Sequence, residues 1–99
     1  MHLYGILIVQ RFATAHPACR SAAYAWILEA KEGAWSSEQH VQERYRTAQV
    51  GKNGRVVFDL LTGIYMLATR VMYDKGILVV ERAWVDGQPA KAAARASKK

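Results

Sequence analysis

The spacing of apolar residues changes character near residue 47. Before that point they recur among alanines, tryptophans and helix formers, and after it β-branched residues run between breaks containing Gly or Asn. Pro17 suits the first turn of a helix, where its missing N–H costs nothing, and Gly33 is placed to stop that helix near Glu32. From Ala22 to Leu28 this segment has no charged residue, so its helix is expected to be buried on more than one side or else to meet a partner. In a chain with so few elements, burial in the core is the first expectation. Ser36 followed by Gln39 has the capping-box spacing, which predicts a short helix reaching about Tyr45. Residues 1–16 fit two patterns. Ile6 to Val9 favours a strand, whereas Leu3/Leu7 and Ile8/Phe12 mark a helix face; a short strand leading into a helix is expected.

In the second half, Asn53-Gly54 is a strong hairpin signal, and Thr62-Gly63 and Lys75-Gly76 are weaker ones. They bound segments 55–61, 64–74 and 77–85, which read as an antiparallel meander. The predicted class is α+β, with N-terminal helices packed on a three- to four-stranded antiparallel sheet. One domain is expected over residues 1–87, followed by a basic, disordered tail over 88–99.

The register sharpens this picture. If Thr62-Gly63 is a two-residue turn, Leu61 faces Ile64 and Arg55 falls opposite Arg70. If Lys75-Gly76 is another, Asp74 faces Ile77 and Arg70 falls opposite Glu81. One face then gathers Phe58, Leu60, Tyr65, Leu67, Val71, Tyr73, Leu78, Val80 and Trp84 as a core, and the other gathers Arg55, Asp59, Met66, Arg70 and Glu81. Two arginines directly opposite each other are unfavourable unless an anion or an acid offsets them. Either the face is simply solvated, with Glu81 and Asp59 neutralising the pair, or it is a phosphate-binding cleft. Arg44, Arg46 and Lys52 would extend such a cleft, since no acid lies between Arg44 and Arg55.

Composition narrows the classes. The 99 residues are 52% hydrophobic and 22% charged, which suits a packed core. The formal charge of +6 is uneven: Lys91, Arg95, Lys98 and Lys99 supply four positive charges to the last 12 residues. The other 87 hold ten basic against eight acidic side chains. A polyanion is a natural partner, nucleic acid first. The lone Cys19 excludes an intrachain disulfide, and with His16 it falls short of a metal-ligand set, so a small buried thiol and no metal or cofactor are expected. No apolar run approaches the ~20 residues of a membrane span. No basic region precedes the apolar stretch Leu3–Val9, so the cytoplasm is the expected compartment.

Met1-His2, Phe12, His16-Pro17, Trp26, Ala30, Ala34-Trp35, Val41, Tyr45, Ala48 and Val50-Gly51 follow one another in a familiar order. Arg55-Val56-Val57-Phe58, Tyr65, Leu67 and Tyr73 continue it. This pattern resembles the HigB-type toxins of bacterial toxin–antitoxin pairs over roughly residues 1–82. The resemblance implies a RelE-like fold, cleavage of mRNA (generally on the ribosome) and restraint by a cognate antitoxin, with a homodimer or a toxin–antitoxin oligomer as the assembly. The family commonly reads Phe-Asn, Gly-Gly-Asn and Tyr-Arg-Leu where this chain has Phe58-Asp59, Leu61-Thr62-Gly63 and Tyr65-Met66-Leu67. The family's Thr-His near the C-terminus has no counterpart around Trp84-Val85-Asp86.

RNA cleavage through the 2′-hydroxyl needs a base, a cation for the phosphorane charge and an acid for the leaving oxygen. With Met66 in place of arginine, the remaining catalytic candidates are Arg55 and Arg70 for charge, with Asp59 or Glu81 as base. Arg44, Arg46, Lys52, Lys91 and Arg95 are the candidate RNA contacts. The alternative is a catalytically degenerate module that binds RNA or an antitoxin on the same scaffold.

Overall fold

A computed structural model describes residues 1–33, 35–61 and 63–86. The expected tail over 88–99, with Lys91 and Arg95, lies outside the described residues. The chain forms β1 (His2–Tyr4), α1 (Ile6–Ala15), a 3-10 turn (Pro17–Cys19), α2 (Arg20–Glu32) and α3 (Glu38–Arg44). Then follow β2 (Gln49–Val50), β3 (Arg55–Leu61), β4 (Tyr65–Met72) and β5 (Ile77–Val85). The class is α+β, and the sheet corrects the expectation in two respects. It has five strands in the order β1-β5-β4-β3-β2, and it is mixed, because β1 runs parallel to β5.

The strand-then-helix start is as expected, but the apolar run Ile6–Val9 belongs to the helix. Gly5 makes the break between them at φ 84, and an added Cβ there would lie 2.5 Å from the Val80 carbonyl oxygen. The chain therefore leaves β1 by a left-handed step open to glycine. Val9, Phe12 and Ala13 then form a buried stripe. Tertiary packing over β5 overrides the strand preference of the run.

In α2 the buried stripe is Ala23, Trp26, Ile27 and Ala30, at one helical face. The far side stays open, with Tyr24 41% and Leu28 60% exposed, so the core covers only part of this apolar helix. Gly33 ends it for a reason of space, since its Cβ would lie 2.8 Å from both the Glu29 carbonyl oxygen and the Trp35 ring nitrogen. The capping residue of α3 is Ser37, one place beyond the expected Ser36, and its Oγ accepts the His40 N–H at 3.2 Å.

All three helices lie on the sheet face that carries Val56, Phe58, Leu67, Val71, Leu78 and Val80. Phe58 sits at the centre of an aromatic cluster, with ring centroids 5.3 Å from Trp26, 5.9 Å from Trp35 and 5.2 Å from Tyr45. Thr69 is the one buried polar residue of this core among those described, and its hydroxyl donates to the Val56 carbonyl at 2.8 Å. Cys19 is fully buried and donates to the His16 carbonyl at 3.3 Å, and burial pushes its thiol pKa up, as suits an inert core residue.

Tyr45 ties α2 to α3. Its hydroxyl donates to Glu29, which also accepts from Arg44, and the Arg44 guanidinium lies 4.9 Å from the Tyr45 ring centre. Burial, then the hydrogen bond and the Glu29 charge, raise the Tyr45 pKa well above its usual range. A phenol raised in this way contributes stability that is complete below the unfolded value of about 10 and is lost as pH rises through the folded value. Urea midpoints should therefore fall above about pH 10 more steeply in the native protein than in Tyr45→Phe. Parallel curves for the two proteins would remove Tyr45 from this role.

Candidate functional site

The face of the sheet away from the helices is where the sequence-predicted charges meet. In the β3–β4 hairpin Arg55 pairs with Arg70, Val57 with Ala68 and Asp59 with Met66, which is the expected register. A bulge between Asp59 and Leu61 then brings Leu61 opposite Tyr65, in place of Ile64. At the other end of β4 the expectation slips by two residues. Tyr73–Lys75 form a 3-10 turn closed by Gly76 at φ 65, so Met72 pairs with Ile77 and Arg70 with Val79, not with Glu81.

Glu81 reaches Arg70 by another route. Thr69 pairs with Val80 and Ala68 with Arg82, which leaves Glu81 as the extra residue of a β-bulge. Its carboxylate lies 3.6 Å from Arg70 Nε, and the two side chains are 40% and 38% exposed. Arg70 Nε itself is buried with no hydrogen-bond partner, so the root of the guanidinium is held by packing while its tip reaches solvent. Arg55 is exposed beside it. The structure thus brings together Arg55, Arg70 and Glu81.

Asp59 stands apart. It is four residues along the strand from Arg55, about 13 Å away, and its Oδ1 accepts the Gly63 N–H at 2.8 Å across the turn. Met66, opposite it, is only 6% exposed and presents no charge. Arg44 is engaged by Glu29 on the helical side, while Arg46 is exposed after α3 and Lys52 is exposed in the loop before β3. A cleft between α2 and α3, lined by Glu29, Trp35, His40 and Arg44, also lies on the helical side and does not include Arg55 or Arg70. The arginine pair sits on an open surface, the shape that suits a polymer more than a small enclosed ligand.

Two features of this face escape sequence reasoning. The parallel pairing of β1 sets Tyr4 beside Val79 and His2 beside Ile77, so Tyr4, 57% exposed, ends the cross-strand row Tyr4, Val79, Arg70, Arg55. The bulge at Glu81 also reverses the alternation beyond it. Trp84, expected in the core, pairs with Met66 on the open face, and Arg82 accompanies it. Ala83 takes the core side instead. No local signal announces the parallel pairing, whereas three successive residues Glu81-Arg82-Ala83 without alternation hint at the bulge.

Among the described residues no three His, Cys, Asp or Glu side chains are grouped to hold a metal ion, and no helix is long and apolar enough to cross a membrane. Comparison with known families matches residues 19–84 to the HigB toxin family, described as the RelE-like toxic component of a toxin-antitoxin system. A comparison with curated proteins gives no match.

Proposed function

This chain belongs to the HigB toxin family, and from that premise we propose that it inhibits translation as an endoribonuclease that cleaves mRNA. Family membership makes it the toxin of a toxin–antitoxin system, whose partner is an antitoxin. The observation that supports a phosphodiester substrate is the direct pairing of Arg55 with Arg70 on the face away from the described helices. Two opposed guanidiniums repel each other in the free protein, and a phosphate placed between them turns that cost into binding.

In this reading Arg55 and Arg70 stabilise the charge that builds on the phosphorane. Glu81, in contact with Arg70, takes the proton of the attacking 2′-hydroxyl. Asp59 is the less suitable base because its carboxylate is engaged in the turn and lies about 13 Å from Arg55. The Tyr4 hydroxyl, exposed two strands from Arg70 in the same row, is a proton donor whose long side chain can extend toward the leaving 5′-oxygen. Arg46 and Lys52 would follow the backbone of the strand.

Induction of the protein in a bacterium lacking an antitoxin tests the proposal. Growth arrest with new mRNA 5′ ends in primer extension is expected. Unaffected growth with intact mRNA would sink it. The buried, uncharged Met66 favours one other reading, a module that binds RNA or antitoxin without cutting. Arrest of growth with intact mRNA would select that alternative.

A further inference from the structure

The bulge at Glu81 does more than bring a carboxylate to Arg70. By reversing the alternation of β5 it turns Trp84 and Arg82 onto the open face, in the rows of Met66 and Ala68. The Arg82 guanidinium lies 4.5 Å from the Trp84 ring centre. Met66, the cross-strand partner of Trp84, is only 6% exposed, so the neighbour of the indole on this face is apolar. A large aromatic ring on a sheet face that no described helix covers, capped by a flat cation, is an uncommon use of a residue that the core would otherwise take.

We propose that Trp84 is a stacking shelf for one unpaired base of a single-stranded RNA. This inference rests on the reading of the Arg55–Arg70 face as a phosphodiester site. The ring already accepts one planar π-partner, and an unpaired base is another of the same shape. When the base takes the ring, Arg82 is released to a neighbouring phosphate. Trp84 and Arg70 are separated by about 13 Å along the sheet, because their rows are four residues apart on β4. An extended strand crosses that span in a few nucleotides. The phosphate is thus held at Arg55 and Arg70, and a base flanking it is held at Trp84. A stacking contact of this kind fixes which phosphodiester meets the arginines and tolerates every base.

The built-in probe is tryptophan fluorescence. Trp26 and Trp35 are 3% and 6% exposed, so Trp84 is the indole that a bound base can reach. The full chain is titrated at low salt with a single-stranded RNA made uncleavable by 2′-O-methylation. Saturating RNA should quench the emission. Trp84→Leu should abolish the quench and weaken binding about 5- to 150-fold, while Trp84→Phe keeps most of the affinity. Binding by the native protein without quenching overturns the shelf whatever the variants do, and so does equal affinity in Trp84→Leu. Either result leaves the arginine site standing. No binding by the native protein overturns that site, and the shelf with it.

Discussion

Arg70→Ala is expected to lower mRNA cleavage by about 100-fold or more and to relieve growth arrest on induction. The size follows from how the side chain is held. Its Nε is buried, and Glu81 contacts it at 3.6 Å, so the guanidinium is oriented before any substrate arrives. Alanine removes both the charge beside the phosphorane and the cation that positions Glu81. Arg55, exposed and with no ion pair among the described residues, cannot replace it from the neighbouring strand. Arg70→Lys keeps the charge but loses the planar fork, so it should fall between the two. Stability should move the other way. Removing one of two opposed like charges relieves repulsion, so the urea midpoint of Arg70→Ala should match or slightly exceed the native one. A variant of native stability that still arrests growth at the native rate would take Arg70 out of the site.

Phe58→Ala should have the largest effect on the fold. The ring is 1% exposed and meets Trp26, Trp35 and Tyr45 at once, so its removal leaves a cavity walled by three aromatic rings that cannot all close in. A loss of about 3–5 kcal/mol is expected, against a total of about 5–15 for a domain of this kind. In a thermal melt that is a drop of more than ~12 °C. Phe58 lies on the core side of β3 and Arg55 on the open side, so activity should be lost only as the protein unfolds. A shift of a degree or two would mean that the cluster is far less tightly packed than its ring distances indicate.

Sequence reasoning reached those parts of the fold that short-range chemistry determines. The Arg55–Arg70 register follows from a turn signal and a period of two, and the structure has it. Ser37 and Gly33 bound their helices within a residue of expectation. The errors share a cause. Lys75-Gly76 has the composition of a two-residue turn, but Tyr73 packs against the core and winds the connection into a 3-10 turn, which moves the register by two. The bulge at Glu81 then sends Trp84 to the side its hydrophobicity argues against. The β1–β5 pairing joins His2 to Ile77, a contact that no window along the chain contains. For the site, this means that the arginines were readable from local pattern, whereas Tyr4, Arg82 and Trp84 join them only through the assembled sheet.

That same pairing governs the order in which the molecule comes into being. β5 is the last of the described strands to be synthesised, yet it is an interior strand, between β1 and β4. Until it arrives, β1 has no neighbour and β4 presents a bare edge of unpaired N–H and C=O groups. The loop that must close is most of the chain, so nucleation from the β3–β4 hairpin is cheaper than from the parallel pair. A nascent chain ending before Ile77 already holds Arg55 and Arg70 but lacks Glu81 and the strand that completes their sheet. Premature stops and frameshifts upstream of that residue should therefore yield a harmless, protease-sensitive fragment and not a partly toxic one.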